Sequence, residues 1–573
     1  MEIIDTSFRV EYDMIDVLAA ADATATTNHN KSFATIAKLS SGTQFSDSGT
    51  LEHNFFILDG SKNEFQDDPE VAFFSNEKSN SDGLFTNNPS ITIQFSKPHS
   101  SVGFTIDFIE DYPLECIIYW YDINNVKLFN KTFKIDNLKA TFFYPMVNYG
   151  KIVVEFTKAM PYRYIKINKL EYGIKFIWDE DKITNGSLLE EINPISNLIP
   201  VNTLTFSIID ESGDFNLGNP DGLHNYIQNG QYIKPYEYVR GKELFLGNFY
   251  IQKFKSDDRL CTFNCVNMIG LLDDSVFYKG DIYNGVKAGN IIDSIMETAG
   301  ITDYEVDEET KNTLVYGSLK PMDCRQALRE VLFFCQSLID NSRSGKISIY
   351  KPTNKIMGEI PRERKVYTTV NKKSYVSGVK IQFNEYIKNE ESKTVATGTY
   401  KKGNNLVIFN SPYDDITVKN GTLVEYGKYY CVFSLDEDGS NEIYGKSYEP
   451  KNKSVIVSNT FIPTGEKENV KSFTSLLANN ITSESLANKI LEYFKMQMEI
   501  KTQYLAIDEA VSQWKLIQNN NPNYNDYFAE LESISTDLTG GFVSTAKLTG
   551  YYTELNKYYY LGTDIIADNN III

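Results

Sequence analysis

Many short segments of this chain alternate apolar and polar residues, and this period of two constrains the fold more than any other feature. Between residues 203 and 208, for example, Leu204, Phe206 and Ile208 alternate with threonine and serine. Such alternation predicts a strand with one buried face and one solvated face. Directly behind it, DESGDFNLGNPDG (residues 210–222) concentrates residue types that end regular structure. Repeated along the chain, this pattern predicts a β-rich protein.

The length of the chain sets how many hydrophobic cores this pattern must build. At 573 residues the chain exceeds what one core supports, and three or four domains are expected. The predicted fold class is therefore mainly β and multidomain. We predict a jelly-roll β-sandwich at 1–175, a β-barrel with a small α/β insert at 176–350, a second β-barrel-like domain at 351–470, and a C-terminal region of helix and β-strands at 471–573.

Three segments carry a helical period instead of a strand period. The first ends at Gly300, a residue type that commonly stops helices. Its predicted buried face consists of Ala288, Ile291, Ile292, Ile295 and Ala299. The second opens at Asp323, whose side chain can cap the helix while Gln326 reaches back. The third begins with Ser483 as its predicted N-cap, and its apolar face is expected to pack on its own domain.

Charge and targeting signals exclude several classes of protein. The net charge of −20 argues against nucleic-acid binding, which requires an excess of lysine and arginine on some surface. The first twenty residues carry acidic side chains and lack the basic start and apolar run of a secretory signal. No apolar run is long enough to cross a bilayer. We therefore expect a protein made in the cytoplasm without a signal peptide and without a membrane span.

The cysteines and histidines indicate structural roles. All six cysteines are expected to be reduced and buried, because Cys261 and Cys265 share a strand face at a spacing beyond disulfide reach and the others are well separated. No C-x-x-C is present and the four histidines are scattered, so no zinc site is expected. His99 and His224 are expected at the surface or in turns.

A search for catalytic motifs finds none that meets its chemical requirements. There is no G-x-S-x-G, and no histidine has a recognisable catalytic setting. The acidic cluster that starts at Asp436 fails as an EF-hand, because its glycine falls at the fourth position and its twelfth residue is Ser447. The acidic clusters at 210–214, 436–442 and 179–181 are predicted to be solvated turns. We expect no catalytic residue, no cofactor and no metal ligand, and loop-bound calcium stays open with no residue assigned.

The N-terminal segments resemble a known family. The segments SSVGFTIDF (100–108), IIYWYDINN (117–125) and MPYRYIKINKLEYG (160–173) resemble the discoidin, or galactose-binding-like, jelly roll. The upstream LEHNFFILDGS (51–61) resembles the lead-in to such modules in tail proteins of phages of Gram-positive bacteria. This resemblance implies a jelly roll that faces a partner or a cell-surface glycan.

A second resemblance covers most of the remaining chain and involves the hub-like baseplate proteins of phage and bacteriocin tails. It rests on IPVNTLTFSI (199–208), LGNFYIQKF (246–254), GLLDDSVFYKGDIYNG (270–285), GNIIDSIMETAGI (289–301) and DLTGGFVSTAKLTGYY (537–552). It implies a virion structural protein of a phage tail, tail-like bacteriocin or other contractile injection system. It also implies contacts with other tail and baseplate proteins, a ring homo-oligomer within the particle, and no enzymatic activity.

The best ligand candidate in the sequence is the loop IEDYPLEC (109–116). Glu110, Asp111 and Tyr112 project between two predicted strands, where a tyrosine ring can stack on a sugar and carboxylates can accept its hydroxyl hydrogen bonds. The alternative is an ordinary proline-containing hairpin loop. The corresponding alternative function is a carbohydrate-binding adhesin or receptor-binding protein that uses the N-terminal jelly roll.

Overall fold

The computed structural model describes residues 6–28, 43–44, 70–228, 230–352, 358–360, 362–459, 465–511, 517–519 and 527–552. The N-terminal elements are β1 (Thr6–Ile15), α1 (Ala19–Asp22), β2 (Thr24–Thr27), β3 (Thr43–Gln44), β4 (Glu70–Val71), β5 (Phe73–Phe74), β6 (Ser90–Phe108), β7 (Glu115–Tyr121), β8 (Lys127–Lys134), β9 (Lys139–Lys158) and β10 (Lys166–Glu171).

The central elements begin with a run of strands and continue into an α/β region. They are β11 (Gly173–Trp178), β12 (Ile183–Glu191), β13 (Thr203–Ile209), β14 (Tyr232–Val239), β15 (Lys242–Phe245), β16 (Phe249–Ser256), β17 (Leu260–Asn267), β18 (Val276–Phe277), β19 (Ile282–Lys287), α2 (Ala288–Ala299), β20 (Tyr304–Val306), α3 (Glu308–Asn312), β21 (Leu314–Ser318), β22 (Met322–Asp323), α4 (Cys324–Cys335), β23 (Leu338–Asp340) and β24 (Ile347–Tyr350).

The C-terminal elements are again mostly strands. They are β25 (Gly358–Ile360), β26 (Lys365–Lys372), β27 (Gly378–Tyr400), β28 (Gly403–Ile408), β29 (Tyr413–Val418), β30 (Thr422–Tyr426), β31 (Tyr430–Leu435), β32 (Gly439–Ser458), β33 (Val470–Thr474), α5 (Thr482–Phe494), β34 (Met498–Leu505), β35 (Ile517–Asn519), β36 (Tyr527–Asp537) and β37 (Val543–Tyr552). The predicted fold class, mainly β with several modules, is confirmed.

One large sheet, which we call the long sheet, gathers strands from distant parts of the chain. Its main order is β11-β1-β14-β16-β17-β13-β12-β36-β37-β34-β26. Among the described residues this pairing is open, with β11 at one end and β26 at the other, so the long sheet does not close into a barrel. The reason is that β12, in the predicted 176–350 unit, pairs with β36, in the predicted 471–573 region, and the sheet continues from there to β26. Apart from β25 and β26, the described strands between 351 and 470 lie in two other sheets.

A single hydrophobic core lies against the long sheet. As the alternation predicts, Leu204, Phe206 and Ile208 are buried. The rings of Phe206 and Phe263 stack with centroids 5.0 Å apart, and Trp178 packs against both. The same core includes side chains from β34, β36 and β37, so the sheet curves around it.

A second sheet, which we call the N-terminal sheet, folds back on itself. Its order is β5-β10-β6-β9-β7-β8, with β2 added to β6. The first part of β6 pairs with the last part of β9, and the last part of β6 pairs with the first part of β9. Both strands therefore pass from one layer to the other. The distal layer comprises β2, β7, β8 and residues 90–95 and 149–158, and the two layers enclose a core that contains Trp120.

The N-terminal sheet is inserted between two neighbouring strands of the long sheet. Strand β1 lies within the predicted 1–175 domain, yet it pairs with β11 and β14 of the long sheet. Its last pair is Ile15 with Gly173. Only glycine fits at this second position, because a Cβ would lie 2.1 Å from the carbonyl oxygen of Met14. Val102, at the bend of β6, is buried in the core of the long sheet and fixes the insertion to it.

The α/β region confirms two of the predicted helices. Helix α2 spans Ala288–Ala299, and Gly300 follows it in the left-handed conformation with φ of 70°. Helix α4 begins after Asp323, and the Gln326 side chain donates to the Asp323 carboxylate at 3.1 Å. The buried faces of both helices join one core. A hairpin joins β16 and β17, and the Asp257 carboxylate accepts the backbone N–H groups of Arg259 and Leu260 in its turn.

Helix α5 corrects the predicted cap. Ser483 lies inside the helix and is fully buried, whereas Asn479 precedes the helix. The Asn479 side-chain oxygen accepts the backbone N–H groups of Ile481 and Thr482, each at 2.9 Å. The prediction of Ser483 as the N-cap was wrong because serine and asparagine are both good caps. The helix begins two residues earlier than the apolar period indicates. The apolar face of α5 packs on its own molecule, as predicted.

All six cysteines are buried, as predicted, and none forms a disulfide. Burial raises the pKa of Cys335 to about 11 and raises the pKa of Cys265 still further. These thiols are therefore protonated at neutral pH, which makes them poor nucleophiles. They act as small apolar side chains in the strands and helices that hold them.

Candidate functional site

The loop predicted to bind a ligand lies at the end of β6. The Glu110 carboxylate is 2.6 Å from the Lys166 ammonium, and the Asp111 carboxylate is 2.7 Å from the Arg163 guanidinium. Tyr112 is half-buried and packs against the core of the N-terminal sheet. The three side chains are close together, but the two carboxylates already fix the loop to the segment that leads into β10. A sugar hydroxyl would have to compete with these ion pairs, and the ligand role of the loop stays a prediction.

The acidic turn after β13 organises an aromatic cluster. The Asp210 carboxylate accepts the backbone N–H groups of Asp214 and Phe215, at 3.1 and 2.8 Å. Asp210 is buried, in contrast to the solvated position expected for this cluster. The bonds direct Phe215 into the core, where its ring lies 5.7 Å from Trp178. Within the described ranges no group of three or more potential metal ligands is assembled here or elsewhere.

His99 is not the surface residue that the sequence indicates. It is 5% exposed, and its two ring nitrogens lie 2.8 Å from Asp16 and 2.9 Å from Asp22. Hydrogen bonds from Ser96 and His99 lower the pKa of Asp22 to about 2. Because Asp16 follows β1 and His99 lies in β6, this bridge joins the long sheet to the N-terminal sheet. His224, in contrast, lies in a short 3-10 turn, as expected.

A buried ion pair connects the long sheet to the α/β region. The Arg343 guanidinium lies 3.1 Å from the Glu190 carboxylate, and both side chains are less than a tenth exposed. Next to it, Asn202 donates to Ser342 at 2.9 Å. The partners are far apart in sequence and no local pattern indicates them. The pair is surrounded by packed side chains, so it has a structural role and offers no open site.

Glu237 is a buried carboxylate that the alternation could have revealed. In β14 it shares a face with Ile233 and Val239, both of which are buried. Neither of its oxygens has a hydrogen-bond partner among the described residues. Burial, reinforced by the negative charge of Glu180, raises the pKa of Glu237 to about 9. The side chain is therefore a neutral acid at pH 7.

A cleft of about 510 Å³ lies where the long sheet, α4 and α5 meet. Its apolar wall is the loop between β12 and β13, on which Leu198 is 63% exposed. Its polar wall includes Tyr493, Glu532 and Lys547. The tyrosine hydroxyl donates to the Glu532 carboxylate at 2.5 Å, and the lysine lies 3.1 Å from the same carboxylate. These polar groups are mutually satisfied, so the cleft is suited to contact with another protein more than to catalysis.

The outer face of the distal layer carries two half-buried tyrosines that sequence reasoning did not select. Tyr119 and Tyr121 alternate with the buried Ile118 and Trp120 of β7, so both point away from the core. The Lys127 ammonium lies 5.0 Å from the centroid of the Tyr119 ring, and the Lys151 ammonium lies 4.1 Å from that of Tyr121. These contacts are within the range of cation–π attraction. This face is called the tyrosine–lysine face below.

A hydrogen bond to Glu155 fixes the orientation of one ring on this face. The Tyr119 hydroxyl donates to one Glu155 oxygen at 3.3 Å, and the Asn88 amide donates to the other at 2.8 Å. Burial and the charge of Glu155 raise the pKa of Tyr119, so the hydroxyl keeps its proton. The ring is thus held in place on this face.

No helix among the described residues is both long and apolar enough to span a bilayer.

Comparisons with known proteins return structural neighbours only. No family model matches the chain, and no curated protein matches it. The chain is similar to the 43 kDa tail protein of prophage MuSo2 from Shewanella oneidensis, with 10% identity, a TM-score of 0.36, and coverage of 65% of this chain and 95% of the other. It is also similar to a tail protein from Neisseria meningitidis, with 10% identity, a TM-score of 0.38, and coverage of 64% and 92%. A prophage tail protein from Listeria monocytogenes matches with 8% identity, a TM-score of 0.34, and coverage of 67% and 93%. At TM-scores this low, the superpositions do not establish a shared fold or function.

Proposed function

We propose that this protein is a structural component of the baseplate or tail tip of a phage tail or tail-like bacteriocin. In this role it makes protein–protein contacts within the particle and links the particle to its receptor-binding parts. The observation that carries the proposal is the convergence of the segments with hub-like sequence. The segments at 199–208, 246–254 and 537–552 contribute β13, β16 and β37, and all three strands belong to the long sheet.

The proposal assigns the protein a place in a particle and no catalytic role. Several of its charged side chains form internal contacts, as the Glu190–Arg343 pair and the His99 bridge illustrate. The expected location is the virion or tail-like particle, with synthesis in the host cytoplasm. No cofactor is part of the proposal.

The open edge of the long sheet is the surface we assign to a neighbouring tail protein. Strand β26 pairs only with β34 among the described residues, and its exposed side chains include Val366, Tyr367 and Val370. An exposed apolar edge strand is a template for pairing with a strand of another chain. A second copy of this chain in a ring, or another baseplate protein, would extend the sheet there.

The test is co-sedimentation. A lysate of an induced producer strain is separated on a density gradient, and the chain is located by mass spectrometry. We expect it in the fractions that contain sheath and tube proteins. Recovery only as a slow, free species would overturn the tail assignment. The edge is tested with Val370→Lys, which we expect to reduce incorporation into particles, and Ile209→Lys on β13, an interior strand of the same sheet, serves as an exposed control.

A carbohydrate-binding adhesin or receptor-binding protein is the second candidate. The observation that favours it is the tyrosine–lysine face, since the carboxylates of the 110–112 loop are already paired. Binding of the purified chain to glycans, combined with its absence from particles, would favour this candidate over the first.

A further inference from the structure

We infer that the tyrosine–lysine face of the N-terminal sheet binds an acidic polysaccharide of the target cell surface, that is, a sugar chain that carries carboxylate groups. The inference deepens the receptor-facing part of the proposed function and places the ligand on the sheet face instead of the 110–112 loop. It rests on the arrangement of side chains across five strands, on lysines that have no carboxylate partner among the described residues, and on the direction in which the face points.

The side chains of this face form two parallel rows across the distal layer. Residues paired directly across antiparallel strands share a face. The first row is Thr24, Gln94, Lys151, Tyr121 and Lys127, and the second row is Thr26, Thr92, Val153, Tyr119 and Asn130. Four steps between strands give a length of roughly 19 Å. The rows therefore form an extended platform on which a linear chain can lie.

The chemistry of the rows fits sugars. The half-buried rings of Tyr119 and Tyr121 offer apolar surfaces to the C–H faces of sugar rings. The threonine hydroxyls and the side-chain amides of Gln94 and Asn130 can donate to and accept from sugar hydroxyls. Val153 is the one aliphatic side chain in the two rows. The rows are therefore more polar than the centre of a typical protein–protein interface, which is depleted in charged side chains.

The lysines supply the preference for an acidic chain. Neither Lys127 nor Lys151 has a carboxylate within 4.0 Å among the described residues, whereas Lys166 at the 110–112 loop is paired with Glu110. The Glu155 carboxylate next to the Tyr119 ring accepts hydrogen bonds on both oxygens, from Tyr119 and from Asn88. In a chain of net charge −20, two unpaired ammonium groups over aromatic rings form a local site of complementary charge for carboxylates.

The face also points away from the rest of the molecule. The opposite layer of the N-terminal sheet contacts the long sheet, and Thr105 of that layer donates to the Gly173 carbonyl at 3.1 Å. Val102 and His99 attach the same side. The tyrosine–lysine face therefore lies on the layer opposite to this attachment, the side on which a polymer can approach.

The experiment measures binding of the full-length purified chain by isothermal titration calorimetry. The probe is an oligogalacturonate, with a neutral maltooligosaccharide of equal length and inorganic polyphosphate as comparison ligands. The test variant combines Lys127→Ala and Lys151→Ala. The control is Lys131→Ala, since Lys131 also lies over an aromatic ring, 4.9 Å from the Tyr144 centroid, but is paired with Ile118 and so projects from the opposite face of β8. A second test variant, Tyr121→Ser, removes one ring.

We expect oligogalacturonate to bind and the double lysine variant to lose at least about tenfold in affinity, because each charge-assisted contact is removed. Tyr121→Ser should also weaken binding, and Lys131→Ala should not. Equal binding of the neutral sugar or of polyphosphate would overturn the inference, as would absence of binding or equal loss in the Lys131→Ala control. Thermal unfolding confirms that each variant is folded. Because the assay uses the isolated chain, a negative result leaves the co-sedimentation test of the tail assignment unaffected.

Discussion

At the scale of single residues, Glu237 and the Glu190–Arg343 pair show two ways in which this fold accommodates a buried carboxyl group. The carboxylate of Glu190 has a guanidinium partner at 3.1 Å, whereas Glu237 has no hydrogen-bond partner among the described residues and keeps its proton. A paired buried charge and a neutral buried acid both avoid an isolated charge in an apolar environment. The neutral buried acid makes stability depend on pH near neutrality.

The neutral state of Glu237 predicts a pH-dependent stability. The pKa is about 9 in the folded protein and 4.5 for the free side chain. Between these values the folded state binds a proton that the unfolded state releases, so the free energy of unfolding falls as pH rises. We expect Glu237→Gln, which replaces the acid by a neutral amide of the same shape, to raise the free energy of unfolding at pH 8 by on the order of 3 kcal/mol.

Urea unfolding between pH 5 and pH 9 measures this effect. The Glu237→Gln curve should lie above that of the original protein at high pH and converge with it toward pH 5. The control is Glu211→Gln in the exposed acidic turn, which should leave the pH dependence unchanged. A destabilised Glu237→Gln at pH 8 would show that the side chain is ionised and paired in solution.

These residues also show what sequence reasoning can and cannot find at this scale. Glu237 lies on the same face of β14 as Ile233 and Val239, because the three residues are an even number of positions apart. Its burial therefore follows from the alternation. Glu190 and Arg343 come from segments that meet only after folding, and no local signal connects them. His99 was misplaced because a Pro-His pair indicates a turn, whereas here the residue lies at the bend of a long strand that two aspartates hold.

At the scale of elements, the helix ends follow local rules. Gly300 ends α2 with φ of 70°, and no atom outside its immediate neighbours lies within 4 Å of the position that a Cβ would take. A side chain at this position would meet no steric obstruction. Any loss of stability would therefore come from the left-handed backbone conformation alone. We expect Gly300→Ala to lower the free energy of unfolding by about 1 kcal/mol, because only glycine adopts the left-handed conformation without strain.

Thermal or urea unfolding of Gly300→Ala tests this expectation. Gly439→Ala is the matched control, since it is equally unobstructed and its backbone is not left-handed. It should change stability by less than about 0.5 kcal/mol. Equal effects of the two substitutions would mean that the left-handed conformation is not what selects glycine at the end of α2.

The elements themselves were largely predictable, because their causes are local. The two-residue period that buries Leu204 and Phe206 and the helical period that ends at Gly300 need no information from the rest of the chain. The cap of α5 was the exception, where Asn479 takes the role expected of Ser483. Two good capping residues in one turn leave the choice to the path by which the chain enters the helix.

At the scale of the whole molecule, the N-terminal sheet is an insertion into a hairpin of the long sheet. Because Ile15 pairs with Gly173, the segment 16–172 can be replaced by a two-residue turn such as Asn-Gly. We expect this variant to fold and to keep its β circular-dichroism signal. It should have a lower melting temperature, because Val102 is removed from the core.

Deletion of residues 475–552 provides the contrasting variant. It removes β36, β37 and β34, which lie between β12 and β26 in the long sheet, so the remaining strands cannot complete the core, and we expect an aggregated or unfolded product. Cooperative unfolding of this deletion, with a native-like signal, would mean that the two halves of the sheet fold independently.

The arrangement of the long sheet is what the sequence could not reveal. Alternation identifies strands but carries no information about which strands pair, and the contact between β12 and β36 spans most of the chain. The tyrosine–lysine face was missed for the same reason, since its two rows take side chains from five strands. Sequence patterns therefore described the parts of the molecule, while pairing over long separations determined the continuous sheet and its surfaces.

The pairing of β12 with β36 also determines how late in synthesis the long sheet can be completed. During synthesis, one edge of β12 stays unpaired and its apolar face stays partly uncovered until residues 527–537, which form β36, have left the ribosome. An edge of this kind attracts other chains while it is unpaired. Rapid translation of the final third, or a chaperone that shields the nascent sheet, would then decide how much of the synthesised protein reaches its native state.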